Sequence, residues 1–205
     1  MRETNTLQLR TERLLLRRWR EADRAPFAAL NADPEVVACL PGALTREESD
    51  AFVDRIEERF GEQGFGMWAV EVSDGEPFIG YVGLNVPRIE APFMPAVEIG
   101  WRLARSSWGH GCATEAAREV LRFAFEDAGL DEVVSFTVPA NERSQAVMRR
   151  LGMTRDPADD FDHPGLPEGH PLRRHILYRI ASTSGPTTAW AATARTTTST
   201  RPSCE

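Results

Sequence analysis

Chemistry in this chain could begin from a few side chains. Glu98 stands in Val97-Glu98-Ile99-Gly100-Trp101-Arg102-Leu103, where Val97, Ile99, Trp101 and Leu103 fall on one side and Glu98, Gly100 and Arg102 on the other. That period of two is a strand buried on at least one face. A carboxylate outside its core-facing row can take a proton from an attacking group, or it can face solvent or pair with Arg102 on the same strand face. Shortly after comes Trp108-Gly109-His110-Gly111-Cys112-Ala113-Thr114-Glu115. From Ala113 the period changes, with Ala116, Ala117, Val120, Leu121, Ala124 and Ala128 continuing one helical stripe. A helix start leaves N–H groups unpaired and carries partial positive charge. Gly109 and Gly111 would let a ligand's phosphates approach the backbone there; equally, a tight turn could need them only for its angles. Asn141-x-x-Ser144 opens a later helix, where Asn141 reads as an N-cap.

Two other phosphate loops do not fit. A dinucleotide fingerprint requires a third glycine where Thr114 stands, and an acid ending the next strand, which ends instead in Pro139. A nucleoside triphosphate loop requires lysine, and every basic residue of the chain is arginine. Cys112 stands at a helix start, where a thiol pKa falls, but nothing suggests a covalent intermediate on it, and it reads as a small packing residue. His163, His170 and His175 lie near Asp160 and Asp162, but their spacing matches no standard metal motif. A substrate-side lid is the better reading of that stretch, and no metal is expected.

Around these residues the pattern predicts alternating elements. Leu14 to Trp19 marks a first strand. Asp23 can cap a helix from Arg24 to Leu30, and Asp33-Pro34 restarts a short one. Thr45 and Glu48 form a capping box before the apolar stripe Phe52, Val53, Ile56, Phe60. Met67 to Val72 and Phe78 to Leu84 flank Asp74-Gly75 as a hairpin. Strands at Val133 to Val138 and His175 to Ile180 bracket the helix from Glu142 to Leu151, and residues 156–171 read as a long loop. The expectation is an α/β (α+β) fold in one domain over residues 1–180. A Thr/Ser/Ala-rich tail over 181–205 has no period and cannot bury a core.

Composition narrows the partners. The chain has 205 residues and a net charge of −7, which argues against nucleic acid or an anionic membrane as partner. Its three cysteines are isolated, against a disulfide framework. No stretch reads as a signal peptide or membrane span, so a cytoplasmic protein is expected, with a homodimer left open.

Trp108-x-x-Gly111-x-Ala113 resembles the pyrophosphate loop Q/R-x-x-G-x-G/A of the GNAT superfamily, the acyl-CoA-dependent N-acetyltransferases. Trp108 departs from the usual Gln or Arg. The subgroup of ribosomal-protein-alanine N-acetyltransferases often has an aromatic there, followed by G-x-G-x-A-T-E-A, and Gly109 to Ala116 reads GHGCATEA. Thr11-Glu12-Arg13-Leu14, Asn141-x-x-Ser144 and Leu151-Gly152-Met153 follow the same subgroup, so the resemblance covers about residues 7 to 180. It implies a mixed, mostly antiparallel twisted sheet of about six or seven strands flanked by helices. Acetyl-CoA, as co-substrate, would lie in a gap between the strands at 97–103 and 133–138. Its contacts would be Trp101 and Leu103 on the strand, the turn residues Trp108, Gly109, His110, Gly111, Cys112, Ala113 and Thr114, and Asn141 and Ser144. Asn141 would hold the pantetheine arm. Strand N–H groups would support the oxyanion, Ser144 or Tyr178 would serve the departing thiolate, and Glu98 would take the amine's proton. The first helices would line the acceptor side. The implied reaction is direct acetyl transfer to a primary amine, of a protein N-terminus or a small molecule. A non-catalytic acyl-CoA-binding sensor or interaction module is the alternative.

Overall fold

The computed structural model describes residues 8–183; most of the expected tail lies outside them. Eight strands form one sheet in the order β1-β2-β3-β4-β5-β6-β8-β7. They are β1 (Leu9–Arg10), β2 (Leu14–Arg17), β3 (Met67–Val72), β4 (Gly80–Asn85), β5 (Glu98–Leu103), β6 (Glu132–Thr137), β7 (Phe161–Asp162) and β8 (Arg174–Ala181). Only β5 and β6 pair parallel; every other neighbouring pair is antiparallel. The expected six or seven strands become eight because β1 and β7 are two-residue edge strands. Such pieces are too short to show alternation. β7 pairs with β8 through Phe161 and His175, so residues 156–171 are not one continuous loop.

The helices are α1 (Arg24–Ala32), α2 (Pro34–Val37), α3 (Arg46–Gln63), α4 (Cys112–Arg122) and α5 (Glu142–Arg150). Thr45 accepts from the Glu48 amide while the Glu48 carboxylate accepts from the Thr45 amide, closing the capping box that starts α3. Asp33 accepts from the Glu35 amide at the start of α2. The apolar stripe of α4, Ala116, Ala117, Val120, Leu121, lies in the main core with Ile99 and Leu103 of β5. Thr114, which the α4 stripe does not include, is buried as well. Past α4 the chain makes a π-helical turn, Phe123–Asp127, before Gly129.

On the opposite face, α1 and α3 cover β3 and β4 through an aromatic cluster of Trp19, Phe27, Phe52, Phe78 and Tyr81. Arg17, 2% exposed, lies beneath it and is matched by Asp23 at 2.6 Å and Glu71 at 2.7 Å, so its charge is buried with full compensation. No helix among the described residues is long and apolar enough to cross a membrane.

Candidate active site

The parallel pair is where the sheet opens. β5 and β6 meet at Glu98 and Val134, and the Val134 amide donates to the Val97 carbonyl at 2.9 Å. No further register joins them among the described residues, although β5 stays paired to β4 as far as Leu103. Since the Val97 carbonyl faces β6, strand parity turns the backbone of Ile99 and Trp101 the same way; the Ile99 amide is taken up in the bridge to Val134, and the Trp101 amide beyond it faces the opening. The opening belongs to a cleft of about 1610 Å³ whose walls include β5, the starts of α4 and α5, residues 38–41 and part of 163–172.

One wall is a turn and a helix start. The Trp108 indole N–H donates to the Leu103 carbonyl at 2.8 Å, folding the turn back on β5. Gly109 and Gly111 have φ of +79° and +81°, the left-handed region that favours glycine. A Cβ at Gly109 would meet nothing within 4 Å, so its backbone borders open space as well. Angles and access are both served. Gly111 caps α4 with no side-chain hydrogen bond, and the first bond of the helix runs from the Glu115 amide to the Gly111 carbonyl at 3.0 Å. The amides of Cys112, Ala113 and Thr114 are the donors a helix start leaves over.

This turn is clamped from far away in sequence. Glu115 accepts from the Thr11 hydroxyl at 2.5 Å, the Arg13 amide at 3.0 Å and the Arg13 guanidinium at 2.6 and 2.8 Å. Arg13 also donates to the His110 carbonyl at 3.1 Å. Partial burial pushes the Glu115 carboxyl up, but hydrogen bonds from Thr11 and Arg13 outweigh it and leave its pKa below the ordinary value. The Thr11-Glu12-Arg13 and Thr114-Glu115 motifs are thus two halves of one contact. Sequence reading missed it because α4 periodicity assigns Glu115 only to a wet face. Arg143 was also missed: its guanidinium lies 4.3 Å from the Trp108 ring centroid, a cation–π contact beside the turn.

Asn141 accepts from the Ser144 amide at 3.2 Å, so it caps α5, and its own amide donates to the Thr137 hydroxyl at 3.0 Å. Across the opening the Trp101 indole N–H donates to the Ser144 hydroxyl oxygen at 3.0 Å. That leaves the Ser144 proton free to point elsewhere.

The other wall carries the side chains of β5 that leave the core row. Glu98 accepts from the Asn85 amide at 3.4 Å, and Asn85 in turn accepts from Arg59 of α3. Burial pushes the Glu98 carboxyl up to about 7, against smaller lowering effects from Asn85 and Arg59. Neither alternative of solvent exposure nor pairing with Arg102 describes it, because Arg102 donates instead to Asn31 of α1. His163 and His175 lie on this side with ring centroids 5.2 Å apart, and burial pushes both pKa values down.

All but two of the sequence-derived site residues line the cleft: Glu98, Trp101, Leu103, Trp108, Gly109, Gly111, Cys112, Ala113, Thr114, Asn141 and Ser144. His110 does not; its ring is exposed and only its carbonyl is engaged. Tyr178 is away from the cleft wall, and its hydroxyl donates to Gln145 at 3.3 Å. Asp160 is bound to Arg155 and Asp162 to Arg173 and Arg174, so both carboxylates already have cationic partners. Arg59, Asn85 and Asn31 gave no signal, since their partners are set only by the packing of α1 and α3 on the sheet.

Comparison with known proteins agrees with this geometry. The Acetyltransferase (GNAT) domain family matches residues 13–154. The FsC-acetyl coenzyme A-N(2)-transacetylase of Aspergillus fumigatus is 40% identical over 114 residues, covering 52% of this chain and 48% of that protein. The uncharacterised N-acetyltransferase YnaD of Bacillus subtilis is 27% identical over 175 residues, covering 85% of this chain and 96% of its own length. An acetyltransferase structure from Agrobacterium tumefaciens superposes with a TM-score of 0.69 at 29% identity, covering 86% of this chain and 95% of that one. A sheet parted between its two parallel strands, a glycine turn capping α4 at one end of the opening and a family match across most of the chain lead to one assignment: the chain belongs to the GNAT family of acetyltransferases.

Proposed function

We propose that this cleft binds acetyl-CoA and passes its acetyl group directly to a primary amine. The observation that carries the reading is the parting of β5 from β6 beside Glu98, with the unpaired amides of α4 along one wall and a carboxyl raised to about 7 on the other. The residues suit the co-substrate chemically: backbone donors at Gly109 to Thr114 for a pyrophosphate, and Arg143 for further anionic charge. Trp101, Leu103, Trp108 and Asn141 would border the pantetheine arm.

Glu98 takes a proton from the acceptor ammonium, so that nitrogen presents its lone pair to the thioester carbonyl. At pH 7 an α-amine is only about a tenth neutral and a lysine amine far less, so a base matters for either. Backbone N–H groups of β5 that face the opening stabilise the charge developing on the carbonyl oxygen. As the carbon–sulfur bond breaks, the Ser144 hydroxyl, its oxygen already engaged by Trp101, donates toward the leaving sulfur. Cys112, 8% exposed and packed in the core, needs no covalent role.

A protein N-terminus of the kind used by ribosomal-protein-alanine N-acetyltransferases and a small-molecule amine both belong to the proposal. So does a cytoplasmic setting, which the free thiols of Cys39 and Cys112 suit. The cleft walls come from one chain, and a homodimer is compatible with that. The test is release of CoA thiol that depends on an added amine, with the acetylated amine identified by mass. Tight acetyl-CoA binding with no amine-dependent release would instead make the chain a sensor module.

A further inference from the structure

Arg102, like Arg59 of α3 with its Asn85 partner, differs from three other arginines packed against α1 and α3. Arg17, Arg18 and Arg24 are each matched by carboxylates, Arg17 by Asp23 and Glu71, Arg18 by Glu57, Arg24 by Glu21 and Asp54. Arg102 is half-buried in the cleft wall, and among the described residues no carboxylate pairs with it. Its partner is neutral: Nη1 donates to the Asn31 side-chain oxygen, and Asn31, fully buried, is fixed by donating to the fully buried Ser49 hydroxyl at 2.9 Å. The rings of Tyr81 and Phe52 lie 5.7 and 5.9 Å from the guanidinium carbon. The guanidinium is therefore held in place from behind, while the rest of its donor fork has no anionic partner. Glu35, across the cleft, is directed to Arg105 at 3.8 Å.

A guanidinium fixed in a partly desolvated cleft favours an anion, and its fork fits an oxyanion in two-point contact. Phe52 borders the guanidinium, and Val36, Leu40, Leu166 and Leu172 give the cleft an apolar part beside its polar lining. Glu98 stands on the same strand face as Arg102, four residues away, or roughly 13 Å between backbone positions at about 3.3 Å per residue. One end of this wall thus receives an ammonium and the other an anion. The anion of a ligand would be repelled from Glu98, which orients it.

We infer that Arg102 is a specificity residue, and that the acceptor is an amine that also carries an oxyanionic group, a carboxylate or a phosphate, joined through an apolar spacer. This rests on reading the cleft as an acetyl-transfer site. The test is nevertheless a binding measurement, so the two can fail separately.

The protein saturated with CoA is titrated by calorimetry with ω-amino carboxylates of three to eight carbons, with their carboxamides, and with matching ω-aminoalkyl phosphonates. The expected result is one spacer length at which an anionic compound binds about tenfold or more tightly than its carboxamide. Phosphonates outranking carboxylates would make phosphate the recognised group, and the reverse would make it carboxylate. Arg102→Met should bring the anion-to-amide ratio close to one. Arg102→Lys should keep part of the ratio, and calorimetric CoA binding by both variants checks their fold. Equal affinity of anions and amides for the unaltered protein, or binding of neither, overturns the inference. Amine-dependent thiol release measured on the same protein with a broad set of amines reports separately on acetyl transfer.

Discussion

The two walls of the cleft hold their chemistry by different means. On the α4–α5 wall the donors are backbone amides, aimed by the turn at Gly109 and Gly111 and by the helix start behind it. On the α1–α3 wall the working groups are side chains, the acceptor Glu98 and the donor Arg102, each fixed by a neutral amide: Asn85 for one, Asn31 for the other. A backbone site is sensitive to what is added to it, because any side chain fills the approach. A side-chain site is sensitive to what is removed behind it, because the partner sets both direction and proton affinity. The first suits a ligand that never changes and the second an acceptor that must be selected.

This contrast can be broken from either side, and the largest effect is expected on the backbone wall. Gly111→Asp puts a carboxylate at a left-handed position beside the unpaired amides of α4. Calorimetry should find acetyl-CoA binding lost, while circular dichroism still reports a folded chain. Unchanged affinity would remove the turn from the binding site. On the other wall, Glu98→Gln should lower kcat/KM at neutral pH about a hundredfold. The pH profile gives the sharper reading. With the Glu98 carboxyl near 7, the rate of the unaltered enzyme should rise through that pH as the base deprotonates. The variant should lose this inflection and recover in part at high pH, where the acceptor deprotonates unaided. The same raised pKa acts on stability. Between 4.5, its ordinary value, and about 7, the folded state holds a proton that the unfolded chain has released. Stability from this group therefore falls as pH rises through that window, and Glu98→Gln should abolish that part of the decline in melting temperature.

Smaller effects separate positioning from contact. Ser144→Ala should lower kcat about tenfold, the loss of one hydrogen bond to a charged group, with little change in acetyl-CoA Kd. A change confined to Kd would make Ser144 a binding group only. Asn85→Ala should cost least, about threefold at pH 7 on the scale of one neutral hydrogen bond. Because Asn85 lowers the Glu98 pKa, its removal should move the midpoint of the pH profile upward. A drop in rate with an unmoved midpoint would assign Asn85 a packing role instead.

The same division governs what can be read without coordinates. The turn, the α4 stripe, the β5 alternation and the Asn141 cap are local patterns and appear where the residue pattern puts them, except that the stripe, which reads as far as Ala128, leaves α4 at Arg122 for the π-helical turn over Phe123–Asp127. Gly109 and Gly111 could be assigned to angles or to access from residue types; both have left-handed φ, and open space borders Gly109, while a Cβ at Gly111 would meet the Arg13 guanidinium at 3.5 Å. Glu98 could be set apart from its row, but its partner could not be named. Asn85 comes from β4 and Arg59 from α3, and no spacing joins positions 59, 85 and 98. Arg102 was weighed as a partner for Glu98 because the two share a strand face. The buried Asn31–Ser49 pair, brought in by α1 and α3, turns it elsewhere. β1 and β7 stayed hidden for a simpler reason, since two residues carry no period.

The contact between Glu115 and the segment from Thr11 to Arg13 closes 104 and 102 residues of chain. Contacts so distant in sequence come at the slow end of folding, so the turn at Gly109 and Gly111 is fully braced only when the first edge of the sheet has docked. Loosening that edge would release the brace, while a ligand held at the turn would resist the loosening by mass action. The strand edge that opens the chain and the turn beside α4 thereby share one stability, and co-substrate occupancy protects both.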